Sequence, residues 1–158
     1  MASTAFKAAV VALLFLFVSL GVSAQELSNR SFKDQWDKPI VFDDSVEWVI
    51  FSYNRSGGRW VGDILKALEI TDPSEHHWLY VSDISEMPGM ITRFIAKPKM
   101  QKYSYPIALA YEPEETKGWP RQEDKVAVYR LNNMSIEESH FFATQEALQT
   151  FLTALIKK

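Results

Sequence analysis

Apolar runs along the chain predict the strands of a sheet. Residues 46–53 and 77–83 are almost continuously apolar, which is typical of strands buried on both faces. Shorter apolar runs predict four further strands, over 38–43, 106–112, 125–131 and 136–143. The first of these is expected at an edge of the sheet because it contains Pro39. A sheet is therefore expected at the centre of the fold.

Apolar residues at helical spacing predict three helices. The first covers about 58–69, the second runs from the cap Ser85 to Pro98, and the third follows the cap Thr144. One face of the second helix is apolar and comprises Met90, Ile91, Phe94 and Ile95. Four residues could line a hydrophobic groove or belong to the core: Trp60, Met87, Met90 and Met100. We expect them in the core, because methionines and aromatics at helical spacing are more often core residues. The pattern does not place four other aromatics, which would mark a partner surface if they were exposed together: Trp36, Trp119, Tyr103 and Phe142.

The order of these elements predicts an α/β fold. Strands that are separated by a helix pair in parallel, because the crossover returns the chain to the same end of the sheet. The later strands are joined by turns, so they are expected to be antiparallel, including the strand that begins at Pro106. The expected architecture is a three-layer α/β/α arrangement around a mixed sheet of about five strands.

The amino terminus has the layout of a secretory signal peptide. Lys7 precedes an unbroken apolar run over 8–18, and small residues at 22–24 place a cleavage site after Ala24. The run is shorter than the roughly 20 residues that span a bilayer, which disfavours the alternative of an uncleaved anchor. We therefore predict a signal peptide over 1–24 and a single domain over 25–158, with no further membrane span.

Composition narrows the possible chemistry. The chain has no cysteine, which excludes a disulfide scaffold, a thiol redox enzyme and a cysteine-ligated metal. An exported chain without disulfides fits a bacterial periplasm best. The net charge of −3 disfavours nucleic acid as a partner. The three histidines lie in no metal-binding motif, so no metal site is predicted.

Three segments resemble the thioredoxin-like superfamily. VIFSYNRSGGRW, over 49–60, is similar to the strand-to-helix turn that carries the Cys-x-x-Cys pair in that family, with Ser56–Arg59 in place of the pair. Tyr105-Pro106 before an apolar strand resembles the family's cis-proline position, and DQWDKPIVFDD, over 34–44, resembles the N-terminal hairpin of exported members. The chain also resembles uncharacterised exported bacterial members that lack the cysteine pair.

The resemblance implies a fold and a site, but it does not carry the redox activity over. Disulfide exchange needs a thiolate nucleophile, and a serine hydroxyl cannot replace it. Ligands of open α/β sheets favour the carboxyl edge of the strands, where the turn, the ends of the two parallel strands and Pro106 are expected to meet. The candidate ligand-binding residues are Tyr53, Asn54, Arg55, Ser56, Gly57, Gly58, Arg59, Asp83, Tyr105 and Pro106.

Two functional hypotheses remain open. The first is a non-redox binding or adaptor module of the bacterial envelope that grips a protein or peptide at the edge beside Tyr105 and Pro106. The alternative is a cofactor-dependent enzyme or carrier that holds a phosphate-bearing ligand, such as a flavin or a nucleotide, at the Ser56–Arg59 turn, because helix amino ends and arginines favour anions. The turn matches no standard nucleotide-binding motif, and Ser56 has no recognisable base to make it a nucleophile. The pattern identifies no cofactor and no oligomeric state.

Overall fold

A computed structural model describes residues 24–157 of the chain. Apart from Ala24, the signal peptide predicted over 1–24 lies outside the described residues and stays a prediction. Within 24–157, the helices are too short or too polar for any of them to span a bilayer.

Seven strands form a single mixed sheet in the described part of the chain. They are β1 (Arg30–Lys33), β2 (Pro39–Phe42), β3 (Trp48–Ser52), β4 (Trp78–Asp83), β5 (Ala108–Ala110), β6 (Val126–Asn132) and β7 (Ser135–Phe142), in the spatial order β2-β1-β5-β4-β3-β6-β7. The predicted hairpin, β1–β2, joins the sheet through the pairing of Lys33 with Leu109. The sheet therefore has seven strands where about five and a separate hairpin were predicted.

The direction of β5 corrects the sequence-based prediction. β5 runs parallel to β4, with Val81 opposite Ala108 and Asp83 opposite Ala110, rather than antiparallel. The segment between the two strands is long enough to cross back over the sheet, as a parallel connection requires. Pro106 therefore lies away from the carboxyl edge at which β3 and β4 end.

Helices cover one face of the sheet. α1 (Arg55–Ala67) and α4 (Gln145–Ile156) pack together there against alternate strand residues such as Ile50, Tyr80 and Val128. The other face is covered by an aromatic layer in which Trp119 contacts Phe51 and other rings, together with the N-terminal segment and the loop that follows a 3₁₀ turn at Pro113–Thr116. The α/β class and the mixed sheet agree with the prediction, but the α-helices of residues 24–157 pack on one face of the sheet and not on both.

The second predicted helix differs from expectation in three ways. It begins at Gly89 without a side-chain cap, so the prediction of Ser85 as its cap is wrong. It consists of α2 (Gly89–Ile91), a π-helical turn (Thr92–Ala96) and α3 (Lys97–Met100), so it continues past Pro98. Pro98 is the second residue after the π turn and does not end the helical segment. The apolar face is exposed, and Met90 is not in the core as predicted. The buried residue of the π turn is Thr92, which directs the apolar residues outward.

A buried glutamine braces the chain around Pro106. The Gln35 Nε2 donates to the Tyr105 carbonyl at 2.8 Å, and the Gln35 Oε1 accepts from the Ile107 N–H at 2.8 Å. This pairing imitates a neighbouring strand, and it holds the backbone on both sides of Pro106 extended. No peptide bond within 24–157 is cis, so the predicted cis Pro106 is wrong: the bond is trans in this extended segment.

We expect Gln35→Ala to lower the free energy of unfolding by about 2–4 kcal/mol, because it leaves two buried backbone groups without partners. Urea titration followed by circular dichroism measures this change. Gln101→Ala is the matched control, since the exposed Gln101 amide donates to the Gln35 carbonyl at 2.9 Å and its loss is expected to cost little. Equal losses in the two variants would show that the Gln35 side chain is not the brace.

Candidate functional site

The amino end of α1 forms the centre of the candidate site. Asn54 caps the helix, because its Oδ1 accepts the Gly57 N–H at 2.7 Å. This cap starts the helix at Arg55, earlier than the predicted residue 58, and it occupies one of the backbone donors that an anion would use. Arg55, Ser56 and Arg59 are exposed, and neither arginine forms a salt bridge within residues 24–157.

The two glycines of the turn have different roles. A Cβ on Gly57 would lie 2.8 Å from the Val126 Cγ2, so only glycine lets α1 approach β6 this closely. A Cβ on Gly58 would have no neighbour nearer than 3.8 Å. Close helix packing therefore accounts for Gly57 without any ligand.

A buried hydroxyl cluster lies beneath the start of α1. The Ser52 Oγ lies 3.0 Å from the Tyr80 hydroxyl and 3.3 Å from the Ser82 Oγ, and all three residues are buried. Burial raises the pKa of Tyr80 to about 12, although its hydrogen bonds with the two serines oppose this. The cluster is therefore neutral at physiological pH, and it provides no base beneath the turn.

Asp83, at the end of β4, is held by four hydrogen bonds. The Ser85 N–H and Oγ donate to it at 2.9 and 2.6 Å, the Arg121 Nη2 donates at 2.8 Å, and the Thr116 hydroxyl also donates. Its side chain is only 5% exposed. Burial raises the pKa of the Asp83 carboxyl, but these hydrogen bonds outweigh burial and lower it overall. Asp83 is thus a fully paired carboxylate that fastens the loop over 113–124 to the sheet.

Arg121, which pairs with Asp83, also packs against two aromatic rings. Its guanidinium lies 5.0 Å from the Phe51 ring centre and 5.4 Å from that of Tyr53. The Tyr53 hydroxyl donates to the Gln122 carbonyl at 2.6 Å and accepts from the Gln122 N–H at 3.0 Å. Tyr53 therefore helps to hold the loop and is not free to bind a ligand.

Most of the predicted site residues lie together in the structure, but Tyr105 and Pro106 lie elsewhere. Tyr53, residues 54–59 and Asp83 lie at the carboxyl edge of β3 and β4. Tyr105 does not join them: its ring is buried beside the middle of α1, where its hydroxyl lies 3.2 Å from the position of a Cβ on Gly62. Pro106 lies toward the amino half of the neighbouring β4, and a peptide pairing there would have to displace Gln35.

Sequence reasoning missed four residues of this edge: Ser85, Thr116, Arg121 and Gln122. A local signal exists for Ser85, because Asp83-x-Ser85 has the same spacing as Asp43-x-Ser45 and Asp72-x-Ser74, and all three form Asx turns with an Oγ–Oδ1 distance of 2.6 Å. No local pattern indicates Arg121, which contacts Asp83 across 38 positions of the sequence.

The cavity at this edge is small and polar. It measures about 240 Å³ and is lined by Asp83, Ser85, Arg121 and neighbouring loop residues, but not by Arg55 or Arg59. Ligand pockets usually measure about 300–1,000 Å³. A larger hollow of about 630 Å³ lies at the opposite edge and contains none of the predicted site residues. The exposed arginines of the turn line neither of these two hollows.

Solved structures resemble this fold, although no family model and no curated protein matches the sequence. Peroxidoxin BcpB from Mycobacterium tuberculosis has a TM-score of 0.55 and 10% identity, with 85% of this chain and 96% of that chain covered. A putative thiol:disulfide interchange protein DsbE from Chlorobium tepidum has a TM-score of 0.53, 12% identity and coverages of 84% and 96%. A SCO1/SenC family lipoprotein from Bacillus anthracis str. Ames has a TM-score of 0.50, 11% identity and coverages of 85% and 96%.

The chain has a thioredoxin-like fold. The turn after β3 reads Ser56-Gly57-Gly58-Arg59, and the chain contains no cysteine. Thiol–disulfide exchange requires a thiolate as nucleophile and as leaving group, so this chain has no group that can perform it.

We expect Gly57→Ala and Gly58→Ala to have opposite effects on stability. Gly57→Ala should lower the free energy of unfolding by about 1–3 kcal/mol, because the new methyl group meets Val126 in a packed core. Gly58→Ala should raise it by about 0.5–1 kcal/mol, because alanine favours a helix over glycine and the site is open. Calorimetry of the two variants decides between these roles, and equal changes would contradict them.

The Asp83 carboxylate should make stability depend on pH. Since its pKa is lowered in the folded protein, its contribution is complete above the unfolded-state pKa of about 3.9 and is lost as the pH falls through the folded value. At pH 7, Asp83→Asn should cost about 1–3 kcal/mol, and the difference from wild type should shrink in acid. Urea titrations across pH measure this. The exposed Asp37, which pairs with Lys97 at 2.6 Å, provides the control Asp37→Asn, for which a much smaller change is expected.

Proposed function

We propose that this chain is an exported, non-redox thioredoxin-like protein that acts as a binding or adaptor module in the bacterial envelope. Its partner surface is the amino end of α1. This position resembles the redox turn of thioredoxin-like proteins because it follows β3 and opens α1, but it presents Arg55, Ser56 and Arg59 in place of a cysteine pair. The observation that carries the proposal is that these three side chains are exposed while the neighbouring Asp83 is fully paired.

The rigidity of the turn supports a role in recognition. The Asn54 cap, the tight packing of Gly57 and the fastened loop hold the two arginines on a stable platform. The fixed backbone of the turn loses little conformational entropy on binding, and the planar fork of each guanidinium group favours carboxylates. The partner is therefore a protein with an acidic contact surface.

Export is part of the proposal. The apolar run and small residues at the amino terminus have the pattern of a secretory signal peptide, and similar folds include a SCO1/SenC family lipoprotein and a DsbE-like interchange protein. An envelope location would also bring the chain into contact with other exported proteins.

The test compares two charge-reversal variants that change the net charge equally. R55E/R59E alters the proposed surface, whereas K66E/K157E reverses exposed lysines near the carboxyl ends of α1 and α4. The immobilised proteins are incubated with an envelope extract of the source organism. We expect R55E/R59E to retain a partner at least about tenfold less than wild type, with K66E/K157E unchanged, because arginines often dominate interfaces.

Two outcomes would contradict the proposal. One is retention of the same proteins by all three forms, since the turn would then have no part in recognition. The other is turnover of a substrate by the purified protein. Acceleration of insulin reduction by dithiothreitol is the simplest assay for turnover, and we expect none.

The same arginines favour a second candidate, a phosphate-bearing ligand at the Ser56–Arg59 turn. Helix amino ends and guanidinium groups both stabilise anions. If this candidate is right, the protein will be coloured or heavier than its sequence as isolated, or flavin mononucleotide or ATP will raise its melting temperature. A shift present in wild type and K66E/K157E, but absent in R55E/R59E, would favour the ligand over the protein partner.

A further inference from the structure

A basic apolar surface covers the segment between β4 and β5. Three large side chains project far into solvent along its helical turns: Met90 is 71% exposed, Phe94 63% and Ile95 56%, with Ile91 beside them at 38%. Trp36, in the hairpin loop, is also 38% exposed. Soluble proteins seldom leave so many large apolar residues together in water without an interaction to cover them.

The charge of this surface is opposite to that of the whole chain. From Met87 to Tyr111 the sequence contains no aspartate or glutamate, although the chain has 20 of them and a net charge of −3. Its basic residues are Arg93, Lys97, Lys99 and Lys102. The hairpin adds two lysines, Lys33 and Lys38, and one exposed acid, Asp37, which pairs with Lys97. The other three basic residues of the segment form no salt bridge within residues 24–157.

The local backbone presents these side chains outward. The π turn buries Thr92, whose hydroxyl contacts the Pro88 carbonyl at 3.4 Å, and leaves Phe94 and Ile95 on the outer side. The Arg93 guanidinium lies 5.5 Å from the Phe94 ring centre, so an apolar group and a cation stand side by side. Single turns of π-helix are rare and often occur at functional sites.

We propose that this basic apolar surface binds the chain peripherally to an anionic lipid bilayer. The apolar side chains would enter the boundary between headgroups and acyl chains, while the lysines and Arg93 contact lipid phosphates, as on other interfacial amphipathic helices. Trp36 suits the same depth, because tryptophan favours the interface between membrane and water. Side chains that project into solvent can enter a fluid lipid surface, whereas they line neither of the two hollows described above. The proposal does not depend on the function assigned to the α1 turn.

Vesicle sedimentation tests the proposal. Protein recovered after export, with its amino terminus established by mass spectrometry and identical in all variants, is mixed with vesicles of phosphatidylcholine alone or of phosphatidylcholine and phosphatidylglycerol in equal parts. We expect binding to the anionic vesicles only, weakened by salt. F94S/I95S and K99E/K102E should each weaken it by about tenfold or more.

Matched controls separate this surface from general effects. V41S/I156S removes two other exposed apolar residues, Val41 on β2 and Ile156 on α4, and K66E/K157E repeats the charge change elsewhere. Both should bind as wild type does, and so should R55E/R59E, which tests the other proposal. Equal binding by wild type and F94S/I95S would overturn the membrane proposal. The proposal would also be overturned if the wild type formed dimers without lipid and F94S/I95S abolished them, because the surface would then join two copies of the chain.

Discussion

The parallel pairing of β5 with β4 determines where several other parts of this protein lie. It is a short ladder that begins at Val81 and Ala108. The Gln35 side chain strengthens it through hydrogen bonds to the backbone on both sides of Pro106. On its other side β5 pairs with β1, through Leu109 and Lys33. Because β5 runs parallel, the chain must cross back before it, and the crossing segment carries the exposed apolar residues to the surface.

A second consequence concerns the carboxyl edge of the sheet. With β5 between β1 and β4, the loop after it closes over the ends of β3 and β4, and Asp83 and Arg121 fasten it there. The polar side chains of Asp83, Thr116 and Arg121 at this edge are therefore paired with one another and hold the loop. What remains available to a partner is the amino end of α1, whose arginines face solvent. The thioredoxin-like framework is thus retained while its reactive position has become a contact surface in our proposal.

Local features of the sequence explain most of the secondary structure. The apolar run over 46–53 becomes β3, and Thr144 caps α4 as predicted, its Oγ1 accepting the Ala147 N–H at 3.3 Å. The alternation within β5 does not give its direction, because a strand carries the same alternation whichever way it runs. The helix predicted just before it did indicate a parallel connection, since strands that are separated by a helix pair in parallel. No local feature indicates the contact of Arg121 with Asp83, since it depends on how a distant loop folds back over the sheet.

The sequence by itself determined the types of the main elements, the Thr144 cap and the absence of thiol chemistry, because these depend on neighbouring residues and on composition. The tertiary structure alone decided which of two adjacent glycines is indispensable, since only the approach of Val126 distinguishes Gly57 from Gly58. It also decided that Phe94 and Ile95 face solvent, although their spacing equals that of a buried helix face. The physical reason is that spacing shows which residues share a face, whereas long-range packing decides what that face meets.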